Sequence, residues 1–143
     1  MANLRTMNIL KIASIILMGF GLMVAASVVP ALSFPTLLFI DLALWPLDGA
    51  QSLAAPETRL LCAVGGGMLV GWGALLFLVS DQIYPQDPLL VRKFILISIC
   101  SWFAVDSVAS VAAGAPYNAL FNIGFLLLFA LPLMKGQAPQ TQA

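Results

Sequence analysis

Four apolar runs, covering about residues 10–30, 57–80, 90–113 and 116–134, constrain this chain more than any other feature of its sequence. Crossing a hydrocarbon core of about 30 Å takes about 20 residues of α-helix, and each run is long enough. No water in that core can satisfy peptide groups, so a spanning segment must be a helix or part of a closed barrel. Barrel strands alternate apolar and polar residues over segments of about ten, whereas these runs are continuous. The expected fold is therefore all-α, an integral membrane four-helix bundle forming a single domain over residues 1–143.

The composition agrees with this reading and closes off several functions. Of the 143 residues, 62% are apolar and 8% charged, against about 25% charged in soluble domains. Six basic and six acidic residues cancel, leaving no basic footprint for nucleic acid. There is no His, and Cys62 and Cys100 stand far apart, so a zinc, haem or thiol redox site lacks its usual ligands. No base-and-nucleophile pair stands out either. No cofactor, metal or enzymatic activity is expected, and both cysteines are expected to be free and buried, behaving as small apolar residues.

Arg5 and Lys11 stand before the charge-free part of the first run, Ile12 to Val29, and apolar character persists to Ile40. That exceeds the apolar region of a signal peptide, so the run is expected to remain as a span. Pro30 and Pro35 then interrupt the backbone. A short segment over about residues 35–45, with Phe34, Phe39 and Trp45 beside Asp41, is expected in the headgroup region, where rings anchor and Asp41 stays wet. Pro56 and Pro88 suit first helical turns, with Asp87 as a cap. Residues 81–87 read as a polar loop, and residues 136–143 as a flexible tail.

Basic residues define the orientation. Arg5, Lys11, Arg92, Lys93 and Lys135 fall on one side of a four-span chain, and Arg59 alone on the other. The positive-inside rule then puts both termini in the cytoplasm.

Gly65-Gly66-Gly67 and Gly71-Trp72-Gly73 in the second span have no following Lys-Ser or Lys-Thr and no preceding strand, which excludes a phosphate loop. Packing accounts for them. Ala63, Gly67 and Gly71 recur every four residues, as a stripe against which a neighbouring backbone can rest; Gly19 and Gly21 offer the same in the first span.

Gly114-Ala115-Pro116 combines a helix stop with a helix start, so the third and fourth spans must be antiparallel neighbours. Asp106 precedes Gly114 by eight residues and Asn122 follows it by eight; Ser110 and Asn118 lie four to either side. At 1.5 Å per residue each of these pairs shares a depth, and within each helix the i, i+4 spacing of Asp106 with Ser110 and of Asn118 with Asn122 puts them on facing stripes. The expected arrangement is a polar ladder, Asp106 with Asn122 and Ser110 with Asn118, with Trp102 one turn deeper. Arg59 can extend outward to Glu57, Asp48 or lipid phosphate, which snorkelling makes cheap, or inward to Asp106.

The glycine pattern, followed by Trp102-Phe103, Asp106-Ser107, Asn118, Asn122 and Pro132, resembles small bacterial four-span membrane proteins of the DoxX-like group over about residues 57–133. That resemblance implies a partner of membrane redox or quinone-linked systems, although this chain has no ligand set for a redox centre. The leading expectation is a non-enzymatic accessory or interaction subunit in the lipid bilayer, with another copy or a membrane protein as partner. The alternative is a small-solute or proton-coupled carrier with Asp106 as titrating group, since a carboxylate inside a membrane marks function by default.

Overall fold

The computed structural model describes residues 3–135. It contains α1 (Leu4–Ala26), a 3-10 turn (Pro30–Leu32), α2 (Phe34–Leu44), α3 (Pro56–Leu78) running into a π turn (Val79–Ile83), α4 (Pro88–Ala112) and α5 (Pro116–Lys135). No strand occurs among the described residues. Helices α1, α3, α4 and α5 are long and apolar enough to cross a membrane, and the protein is a helical membrane bundle with one additional short helix. Apolar side chains such as Val105, Val108 and Leu120 point out of the bundle, where a soluble protein would carry charge.

Local signals set the helix ends. The Asn3 side chain accepts the backbone N–H groups of Arg5 and Thr6 at 3.0 and 3.4 Å, so α1 begins at Leu4, earlier than its apolar run. Asp87 caps α4 by accepting the Leu90 N–H at 2.9 Å, with Pro88 in the first turn as expected. The polar loop after α3 is shorter than its composition suggests: the helix continues through the π turn, and Tyr84 is buried in the core. The wider turn sets Asp81 against Lys11 of α1 in an ion pair, with the ammonium also over the Phe77 ring.

Between α4 and α5, Gly114 takes φ 84°. Its N–H donates to the Val111 carbonyl at 3.1 Å, and the Ala115 N–H to the Ser110 carbonyl at 2.9 Å. This is a Schellman closure, which favours glycine because only glycine adopts that φ without a Cβ clash.

The long helices associate as two pairs, α1 with α3 and α4 with α5, and α5 also meets α1 and α2. Leu10, Leu17, Leu76, Ile95, Ile99 and Phe129 knit the pairs together at the end that holds Lys11 and Asp81. Toward the Gly114 end, residues of both pairs and of α2 line a cavity.

The contact between α1 and α3 corrects the expected glycine stripe. Ala63, Gly67 and Gly71 are exposed, and a Cβ on Gly67 or Gly71 would meet nothing within 4 Å. The residues at the contact are Gly66 and Gly73. A Cβ on Gly66 would lie 2.5 Å from the Ala25 nitrogen and 2.6 Å from the Gly21 carbonyl oxygen; on Gly73, 2.6 Å from Met18 Cγ. Seven residues make nearly two full turns, so these two share a face, whereas Gly67 is rotated about 100° from Gly66. Of the two α1 glycines, Gly21 lies at the contact and Gly19 faces open space.

Helix α2 is packed onto the bundle. Thr36 Oγ1 donates to the Met23 carbonyl at 3.1 Å, Phe39 lies between Phe20 and Phe121, and Trp45 meets Tyr117. Asp41, expected to be wet, is only 6% exposed. The chain after α2 folds back over it, so that the Gly49 N–H donates to Asp41 Oδ2 at 3.0 Å while Oδ1 has no partner among the described residues. The cysteines are free, but Cys100 is exposed and Cys62 half-buried, so neither is the expected core residue. The tail at residues 136–143 lies outside the described residues.

Candidate functional site

The expected ladder forms and is more cross-linked than its spacing implies. Asn118 Nδ2 donates to Ser110 Oγ at 2.8 Å and to Asp106 Oδ2 at 3.0 Å. Asn122 Nδ2 donates to the same Asp106 oxygen and to Ser107 Oγ at 3.1 Å. A primary amide carries two N–H donors, so all four donors of the two asparagines are used. Both expected pairs are present, and Asp106 joins them by accepting from both amides through one oxygen. Ser107 is an addition that the i, i+4 spacing does not select, although it borders the same stripe. Asn122 is 3% exposed, so its burial is matched by bonding, as burial of an amide requires.

Arg59 takes no part. Its guanidinium donates to the Ala54 carbonyl at 3.4 Å, the outward of its two anticipated directions. The ladder therefore contains an acid and no base.

Between the helix pairs lies a half-open cavity of about 700 Å³, within the roughly 300–1,000 Å³ typical of small-molecule sites. Asp106, Asn118 and Asn122 form part of its wall. Six aromatic rings form much of the remainder in a continuous chain of contacts: Trp72 to Trp102 at 5.7 Å between centroids, Trp102 to Phe125 at 6.1 Å, Phe125 to Phe20 at 5.4 Å, Phe20 to Phe39 at 5.0 Å and Phe39 to Phe121 at 5.4 Å. Trp102 extends the Asp106 stripe by one turn, as expected. Trp72 Nε1–H donates to Ser98 Oγ at 2.9 Å, bridging α3 to α4 across the base of the gap.

Several donors on the wall are already engaged within the fold. The Asn donors are used within the ladder, the Thr36 hydroxyl donates to Met23, and the Trp72 N–H is held by Ser98. Asp106 Oδ1 receives no hydrogen bond among the described residues and is absent from the fully enclosed unpartnered atoms. Among the described residues, no Lys, Arg or His lines the cavity. The ladder wall therefore offers hydrogen-bond acceptors and one carboxyl group beside the aromatic rings, while the Thr58 and Ser98 hydroxyls and the Cys62 thiol lie elsewhere on the lining.

Sequence spacing can find the ladder because one tight turn ties its two helices. It cannot find the cavity, whose walls come from α1, α2 and α3 as well, joined by connections that fix no depth. Fold and site together define a multi-pass helical membrane protein with an acidic, aromatic-lined chamber. Comparison with protein-family models, with curated proteins and with solved structures finds no match to this chain.

Proposed function

We propose that this protein is a non-enzymatic binding protein or carrier for a small membrane-soluble molecule, in the inner membrane of a bacterium, with both termini cytoplasmic. The observation that carries the reading is the chamber beside Asp106: an apolar enclosure of ligand size with a few convergent polar groups is the usual form of a small-molecule site. The orientation rests on the basic residues at one end of the spans. Reporter fusions within residues 81–87 and after Lys135 should report cytoplasm, and one within residues 48–52 the outside. An external C-terminus would overturn that orientation.

Gly65 supplies the decisive variant. It lines the chamber, and a Cβ there would meet nothing within 4 Å, so Gly65→Phe places a ring in the space without displacing a helix. The expected outcome is wild-type yield and thermal midpoint in detergent, with loss of the small molecules that co-purify with the wild type under native mass spectrometry. Identical co-purification from both proteins would remove the chamber from function. A second reading, an accessory or interaction subunit, is favoured by the internal completion of the ladder and accords with the DoxX-like resemblance. In that reading Gly65→Phe leaves every activity unchanged.

A further inference from the structure

The chamber's chemistry narrows what it would hold, an inference that rests on the binding reading above. We propose that the ligand is a lipophilic organic amine in its ammonium form, with its N–H donors on Asp106 Oδ1 and its apolar body among the aromatic rings.

A part-buried carboxyl group beside apolar and aromatic walls is best matched by an opposite charge, and among the described residues no side chain lining the chamber provides one. The four amide donors directed at the ladder converge on Asp106 Oδ2 and two serine hydroxyls, which leaves Oδ1 for a donor from elsewhere. An ammonium group brings both charge and donors. A neutral alcohol brings one donor without charge, and a carboxylate ligand brings a repelling charge and no donor. The rings favour the same class, since the indole faces of Trp72 and Trp102 attract a cation and accept an apolar body equally well. An aminolipid headgroup carries an ammonium too, but among the described residues no Lys or Arg on the lining would balance its phosphodiester. The site is therefore assigned to a free amine.

The test uses three molecules of matched shape: diphenylpropylamine, diphenylpropanol and diphenylpropionate. Binding to the full chain in an uncharged detergent is measured by equilibrium dialysis, with empty micelles as the blank. The amine should bind about tenfold or more tightly than the alcohol, the scale of one charge-assisted hydrogen bond, and the acid should bind least. This ranking needs no variant, so it stands even if a substitution fails to fold. In Asp106→Asn the amine should fall to the affinity of the alcohol, and Gly65→Phe should abolish binding of all three.

Equal binding of amine and alcohol to the wild type, with both lost in Gly65→Phe, would overturn the amine assignment and leave the chamber as a binding site. Indifference of all three ligands to Gly65→Phe would overturn both. Added phosphatidylethanolamine should not displace the amine; displacement would overturn the free amine in favour of the lipid headgroup.

Discussion

The two helix pairs are held by opposite means. Helices α1 and α3 meet where side chains are missing: Gly66 rests on the backbone of Gly21 and Ala25, and Gly73 on Met18. Helices α4 and α5 meet through side chains that bond, with Asp106, Ser107 and Ser110 accepting from Asn118 and Asn122. Lipid tails are as apolar as leucine, so burial gives little drive to helix association within a bilayer; close packing and interhelical hydrogen bonds remain. Each pair relies mainly on one of them. Close packing leaves no polar atom over, whereas the hydrogen-bonded pair retains a carboxylate oxygen at the edge of its network, and the chamber lies against that pair.

Substitutions can break this contrast at either pair. The largest effect is expected from Gly66→Leu, since even its Cβ would stand 2.5 Å from the Ala25 nitrogen; overpacking costs about 1–3 kcal/mol and occasionally more, and a backbone clash belongs at the upper end. Folded yield and thermal midpoint in detergent should collapse, while Gly67→Leu and Gly71→Leu, on the open face, should stay within about 0.5 kcal/mol of wild type. If Gly67→Leu proves as damaging as Gly66→Leu, that face is covered in the assembled protein.

The hydrogen-bonded pair should give way more gently. Asp106→Ala leaves the buried Asn122 amide and the half-buried Asn118 amide without their shared acceptor, at a cost of about 1–3 kcal/mol. Asp106→Asn keeps an acceptor of the same shape and should lose less. Chemical denaturation of the two variants in parallel measures the difference, and equal stability of both with wild type would remove the ladder's structural role. Smallest is the ion pair that links α1 to the end of α3: Lys11→Met should lower the thermal midpoint slightly, and the deficit should shrink as salt is raised, because the pair is partly open to solvent and screened.

The pairs also differ in how far they can be read from sequence. Depth along α4 and α5 is counted outward from Gly114, so residue counting alone matches Asp106 with Asn122. The α1–α3 contact spans a connection that contains α2 and residues 45–55, which fixes neither depth nor rotation. With five glycines between Gly65 and Gly73, nearly every face of α3 carries a small residue, and spacing by four selects the wrong one. Asp41 misleads for a related reason: its short helix looks like an interfacial segment by composition, and only the return of Gly49 over its carboxylate buries it.

Ser110 has two bonds that run in different directions: its carbonyl accepts the Ala115 N–H in the turn, and its hydroxyl accepts the Asn118 amide in the ladder. Turn and ladder are thereby phased to one another like meshed gears. Inserting a single residue after Ala115 would advance α5 by about 100° and 1.5 Å, sweeping both amides off Asp106 although every side chain of the ladder is still present. Seven inserted residues would restore the angle to within about 20° but move the amides about 10 Å along the axis. The tooth count between Ser110 and Asn118 is thus as much a part of the acidic wall as the residues that bond there.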